Sequence, residues 1–208
     1  MGFECHLKLG WRLRAVWAIK YSVHDKREFI YRVDASDRII FANAAWYDFA
    51  RENGDTALQP ERVIGGSLWD FICNTETRHL FEVLLKRVRA TGQPVTLPYR
   101  CDSPDCRRFL ELEITRPAPQ EIEFCSRILR EERREPVRLL EDSVERTDEL
   151  LVMCGWCKKV ALPDNRWAEV EEAVKALQLF DAPRLPRISH GMCQGCHVAF
   201  MEDLDQVA

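Results

Sequence analysis

Two C-x-x-C segments near the C-terminal end constrain the fold of this chain more than any other feature. They read Cys154-Gly-Trp-Cys157 and Cys193-Gln-Gly-Cys196. Each segment can aim two thiolates at one point, so the pair supplies the four soft ligands of a tetrahedral structural metal site. A thioredoxin-like redox pair would need no second copy about forty residues away. We therefore expect one structural zinc ion per chain, bound by Cys154, Cys157, Cys193 and Cys196.

The residues between the two segments carry the spacing of a helix. Apolar residues at 167, 170, 174 and 177 share one helical face, which predicts one helix in the gap. His190 precedes the second segment and is a candidate substitute ligand. Because four cysteines already complete the shell, a role beside the site is the better interpretation of His190. We expect this module to lack a core of its own, so the metal would supply on the order of 10 kcal/mol of its stability.

Composition excludes several classes of function. The chain is 46% hydrophobic and 31% charged with a net charge of -4, and no apolar run is long enough to span a membrane. We expect a cytoplasmic protein, in which the nine cysteines stay reduced. Residues 151–208 hold six Lys/Arg against eight Asp/Glu, which argues against a nucleic-acid partner.

Residues 28–130 alternate between strand and helix patterns. Two short strands are predicted at 29–33 and 38–41, followed by a helix that Asn43 caps. A long amphipathic helix begins after Asn74 and ends at Gly92. Three strands follow, at 95–101, 107–115 and 121–129. This order describes a five-stranded antiparallel sheet with its helices inserted after the second strand, which is an α+β fold.

Four segments in this order resemble a PAS domain, the sensory module of many bacterial signalling proteins. They are Phe29-Ile-Tyr-Arg-Val-Asp34, Asp37-Arg-Ile-Ile-Phe-Ala-Asn43-Ala-Ala-Trp46, Gly66-Ser-Leu-Trp-Asp70-Phe-Ile72 and Arg100-Cys-Asp-Ser-Pro-Asp105. The resemblance implies helices on one face of the sheet and a small-molecule pocket, which holds haem or flavin in some members. The C-terminal part is similar to a cysteine-rich tail of some bacterial PAS-containing proteins, except that Gln194 stands where that tail has proline.

The candidate pocket of the PAS-like region lies between the inner sheet face and the long helix. Its candidate lining residues are Tyr31, Phe41, Phe71, Phe81 and Leu84. The alternative, which we favour, is that these side chains simply pack the core. His79 lies on the long helix, where some haem-binding PAS domains carry their iron ligand, but we favour a surface or half-buried histidine near the start of the helix.

Four regions follow from these patterns. They are an amphipathic leader helix (1–27), the PAS-like domain (28–130), a charged connector helix (131–150) and the metal module (151–208). We expect a homodimer that forms through either the leader helix or the connector helix. A solvent-exposed connector that does not self-associate explains the pattern of residues 131–150 equally well.

The sequence predicts a non-catalytic sensor or adaptor in bacterial signal transduction. No Gly-rich phosphate loop, kinase signature or serine nucleophile motif occurs, and four sulfurs leave a metal no open position for water. Its partner would be a signalling protein, either a kinase or a regulator. The alternative is a redox- or metal-responsive switch, in which the C-x-x-C segments themselves are the sensing element.

Overall fold

The computed structural model of this chain describes residues 27–53, 58–72 and 75–206. Contacts divide the chain into two compact units. The first unit comprises the described residues up to Pro98 together with Phe109–Glu131. The second comprises Tyr99–Arg108 together with the described residues from Glu132 onward.

A five-stranded antiparallel sheet with the order β2-β1-β5-β4-β3 forms the basis of the first unit. Its strands are β1 (Glu28–Val33), β2 (Ile39–Ala42), β3 (Val95–Arg100), β4 (Cys106–Thr115) and β5 (Ile122–Arg133). Between β2 and β3 the chain forms α1 (Ala44–Glu52), α2 (Pro60–Val63), a 3-10 turn (Leu68–Phe71) and α3 (Thr75–Thr91). This topology confirms the predicted PAS-like α+β fold.

Buried and half-buried residues alternate strictly along β4, so one face of the sheet packs against the core. From Cys106 to Thr115 every second side chain is buried, because successive side chains of a strand point to opposite faces. In the first unit, Leu84 and Val88 of α3 and Ile114, Ile122 and Phe124 of the sheet have no exposed surface. The apolar face of α3 and one face of the sheet therefore supply this core.

Two helix ends form as the sequence predicts. Asn43 caps α1, since its side chain accepts a hydrogen bond from the amide of Trp46. Gly92 follows α3 with φ of 71°, a left-handed conformation that favours glycine. In the part of the chain that the structure describes, no helix combines the length and the hydropathy needed to cross a membrane.

A four-stranded sheet with the order β8-β7-β6-β9 forms the second unit. It consists of β6 (Arg146–Cys154), β7 (Val160–Ala161), β8 (Trp167–Ala168) and β9 (Leu185–Gly191), with α4 (Val170–Ala176) and α5 (Gln194–Gln206). The predicted helix between the two C-x-x-C segments is confirmed as α4, but Trp167, which the spacing placed on its face, lies in β8 instead. The expectation of a coreless module is wrong, because nine residues form a buried apolar cluster that includes Leu139, Met153, Val160 and Leu185.

The predicted connector helix at 131–150 does not form. Residues in this range complete β5, form a 3-10 turn at Arg138–Leu140 and begin β6. Pro136 lacks an amide hydrogen and disfavours helix in the residue before it. Val137 and Leu139 are 8% and 1% exposed, so their apolar character serves the core of the second unit. The predicted leader helix lies outside the described residues.

Candidate metal centre

The first C-x-x-C segment forms the turn between β6 and β7. Cys154 is the last residue of β6, and its amide donates to the carbonyl oxygen of Lys159 at 2.7 Å. Its own carbonyl accepts from the amide of Lys158 at 3.0 Å, and Lys158 adopts a left-handed φ of 61°. The tight turn folds Cys157 back towards Cys154.

Parallel pairing of β6 with β9 brings the second segment to the same place. Cys154 lies opposite Gly191 in the register, and the amide of Gly155 donates to the carbonyl oxygen of Gly191 at 2.9 Å. Strands that run parallel end at the same edge of a sheet. The chain that leaves β9 therefore reaches Cys193 directly beside the first segment.

Cys193 takes the place of a capping residue at the start of α5. Its sulfur accepts from the amide of Cys196 at 3.4 Å, and its carbonyl accepts from the amide of His197 at 3.0 Å. In many helices a serine or asparagine side chain at this position accepts the amide hydrogen bond through its oxygen. The first turn of α5 thus places Cys196 next to Cys193, at the positive end of the helix dipole.

All four sulfur atoms lie within 4.8 Å of one another. The sulfurs of Cys157 and Cys193 are 3.7 Å apart. Four sulfurs at about 2.3 Å from a tetrahedral zinc ion lie about 3.8 Å from each other, by the geometry of that site. The donor set and its spacing therefore fit a tetrahedral dication with soft ligands.

Electrostatics within the group explain why a cation suits it. Hydrogen bonds from the thiols of Cys157 and Cys196 hold the pKa of Cys154 far below its usual range. The hydrogen bond to the sulfur of Cys154 raises the pKa of the Cys157 thiol to about 11. Hydrogen bonds to the sulfurs of Cys154 and Cys157 likewise raise the pKa of the Cys196 thiol. Repulsion between close thiolates opposes further ionisation. A dication at the centre removes that repulsion.

The aromatic residue inside the first segment packs on α5. The ring of Trp156 meets the ring of Phe200 edge to face with 5.8 Å between centroids, and Phe200 is 2% exposed. The carbonyl oxygen of Trp156 accepts from the amide of Arg100 at 2.8 Å. The segment is thus supported on both sides within the second unit.

A buried network of ion pairs, which the sequence did not reveal, lies beside this site. Arg100 contacts Asp102 at 2.5 Å and Glu169 at 2.8 Å, and the side chains of Arg100 and Asp102 are 8% and 2% exposed. Arg134 contacts Asp102 at 3.4 Å and Glu171 at 3.0 Å. Hydrogen bonds and charge from the two carboxylates outweigh burial and raise the pKa of Arg100. The partners stand up to 69 residues apart, so no local pattern indicates them.

His190 lies in β9 opposite Met153 and is exposed. Among the described residues, the group of ligand atoms at this site comprises the four cysteines without His190. The interpretation of His190 as a neighbour of the site stays a prediction.

The six pocket candidates of the first unit differ in burial and packing. Tyr31 stacks on Phe124 with 4.5 Å between ring centroids, and Phe81 lies 6.1 Å from the same ring. Leu84 is fully buried and Phe71 is half-buried. The other two candidates, Phe41 and His79, are exposed.

An open groove of about 410 Å³ occurs elsewhere on the first unit. None of the six candidates lines it. Its lining residues include Trp69, Leu85 and Lys86, together with Asp37 and Arg89, which pair with each other at 2.6 Å.

Comparison with known proteins gives structural similarities only. No protein-family model and no curated protein matches this chain. Each of three solved structures matches over 50% of the chain: a domain of an HTR-like protein from Haloarcula marismortui ATCC 43049, a sensory box sensor histidine kinase from Vibrio cholerae, and the photoactive yellow protein domain of the sensor histidine kinase Ppr from Rhodospirillum centenum. In the same order, the sequence identities are 13%, 8% and 15%, and the TM-scores are 0.35, 0.37 and 0.35. The matches cover 98%, 82% and 88% of the length of these three structures.

Proposed function

We propose that this chain is a non-catalytic sensor or adaptor in cytoplasmic signal transduction, with one structural zinc ion in its second unit. The observation that carries the proposal is the convergence of four cysteine sulfurs within 4.8 Å. The PAS-like unit would sense a ligand or a partner. A signalling protein, either a kinase or a regulator, would read the change, and the leader remains the candidate element for a homodimer.

A structural role for the metal follows from the number of sulfurs. Four cysteines fill a tetrahedral shell, whereas a catalytic zinc keeps one position open for water or substrate. Cys154 and Cys193 are 0% and 7% exposed, which further limits access of a substrate to the ion. Iron suits the same ligands, so the absorption spectrum decides between the two metals.

The sensing role rests on the order of elements in the first unit. Its helices lie between the second and third strands of the sheet, and Tyr31 and Phe81 meet Phe124 inside. Such an interior can open around a small ligand by rearranging a few aromatic side chains. Haem is less well supported, since His79, its candidate iron ligand, is exposed.

The second candidate function is a redox switch at the cysteines. The sulfurs of Cys157 and Cys193 lie 3.7 Å apart and neither forms a disulfide. This close approach of two free thiols favours the redox switch. Hydrogen peroxide would accept two electrons and two protons from this pair, giving one disulfide and two water molecules. A metal bound by all four sulfurs would lose two ligands and leave.

Elemental analysis and the absorption spectrum of the purified chain test the main proposal. We expect one zinc ion per chain and no visible band. Cys154→Ser should lose the zinc, whereas Cys125→Ser, which changes a buried free cysteine in β5 of the first unit, should retain it. A chain that binds no metal, with four titratable thiols at these positions, would overturn the structural role. Retention of zinc in mild peroxide supports the sensor, and release with a change of conformation supports the switch.

A further inference from the structure

We infer that the turn of the β3–β4 hairpin, Tyr99–Arg108, is a structural support of the metal centre, so that metal occupancy and the order of this turn depend on each other. The inference rests on the proposed structural metal. It concerns contacts within the second unit, to which this turn belongs.

The first step is a backbone contact at the C-x-x-C segment itself. The amide of Arg100, the last residue of β3, donates to the carbonyl oxygen of Trp156 at 2.8 Å. Trp156 lies between the ligands Cys154 and Cys157. A shift of the hairpin turn would therefore move the backbone that sets the distance between two ligand sulfurs.

The second step is the burial of the charge on Arg100. Its guanidinium donates to Glu169 at 2.8 Å and to Asp102 at 2.5 Å, and its side chain is 8% exposed. Glu169 directly follows β8, which pairs with β7. β7 and β8 are the two strands that follow the first C-x-x-C segment along the chain. A buried ion pair that loses one partner leaves an uncompensated charge and is strongly destabilising, so loosening of this segment would also release the turn.

The third step is the packing of the rest of the turn. Ser103 and Cys106 are fully buried. The guanidinium of Arg134 donates to the carbonyl oxygen of Ser103 at 2.5 Å, and the amide of Val137 donates to that of Pro104 at 3.0 Å. The turn is thus an internal part of the second unit, although β3 and β4 continue from it into the five-stranded sheet.

Coupling between two sites is reciprocal in free energy. If the metal orders the turn, then disturbing the turn must weaken metal retention. Metal occupancy would then set the order of Tyr99–Arg108, the segment in which β3 ends and β4 begins.

Two measurements on the full chain test the inference. Hydrogen exchange is compared between the zinc-loaded chain and the chain treated with a chelator. We expect peptides covering 99–108 to lose protection together with those covering 154–160, while peptides covering β1 keep theirs. Zinc transfer to a chromophoric chelator is then timed for Arg100→Met, and we expect it to be on the order of tenfold faster than in the parent chain.

Arg166→Met is the matched control. Arg166 also pairs with acidic residues of the second unit, at 2.5 Å from Asp164, but it is exposed, so transfer should keep the parent rate. If Arg100→Met does not fold, Glu169→Gln removes one charge of the same network and decides the question. A chain that holds zinc, yet shows unchanged exchange at 99–108 and unchanged transfer in the Arg100 or Glu169 variant, overturns the inference alone. Failure to bind zinc overturns the proposed function instead.

Discussion

At the scale of single residues, Asn43 joins the start of α1 to β1. Its side-chain oxygen accepts from the amides of Trp46 at 2.9 Å and Ile30 at 3.2 Å, and its amide group donates to the carbonyl of Glu28 at 2.8 Å. We expect Asn43→Ala to lower the free energy of unfolding by about 2 kcal/mol, because it removes both a helix cap and a contact to a strand. Asn43→Asp keeps the acceptor oxygens but cannot donate to the carbonyl of Glu28, so it should lose about 1 kcal/mol. Urea unfolding at an unchanged m-value measures both, and equal losses would contradict the assignment to the acceptor contacts.

Residues whose roles are local could be predicted from the sequence. Asn43 as a cap, Gly92 at a helix end and four cysteines in two paired segments each carry a short-range signal. The cap formed by the sulfur of Cys193 carries none, since cysteine is rarely read as a capping residue. The pairing of Arg100 with Glu169 depends on the folded chain, and no local spacing can indicate it.

At the scale of elements, the end of α3 depends on Gly92. A Cβ atom there would meet Nη2 of Arg116 at 2.6 Å, and φ is 71°. Gly65 has a similar φ of 84° but open space around it. Alanine at either position should cost about 1 kcal/mol from the left-handed backbone, and Gly92→Ala should cost up to about 1 kcal/mol more, because Arg116 must leave the carbonyl of Arg89.

A double-mutant cycle isolates that second contribution. In an Arg116→Ala background the two glycine substitutions should cost the same free energy of unfolding in urea. A difference that persists without the Arg116 side chain would show that the close approach does not act through it.

Elements with an alternating pattern were predictable, whereas elements defined by distant pairing were not. β4 alternates between buried and half-buried residues along its length, as the sequence indicates. β6 and β9 pair in parallel although they stand more than thirty residues apart. In 131–150 the predicted connector helix does not form, because Pro136 disfavours helix and Leu139 is buried in the core of the second unit.

At the scale of the whole molecule, each unit has its own buried apolar residues. Leu84 and Phe124 belong to the first unit, and Leu139 and Leu185 to the second. The proposed zinc would therefore add to an existing core in the second unit. Its removal should weaken that unit and leave the first unit folded, because a ligand stabilises the cooperative unit that binds it.

Calorimetry of the full chain tests this division. We expect two transitions, of which a chelator lowers one by roughly 10 °C or more, as expected when a unit of this size loses a few kcal/mol. Cys154→Ser should lower the same transition without chelator and should make the second unit sensitive to protease. Leu84→Ala, which opens a cavity at a fully buried position of the first unit, should lower the other transition through a loss of about 2–5 kcal/mol. A single transition that moves with chelator and with Leu84→Ala alike would mean that the chain unfolds as one cooperative body, and the stabilising effect of the metal would then reach the PAS-like sheet directly.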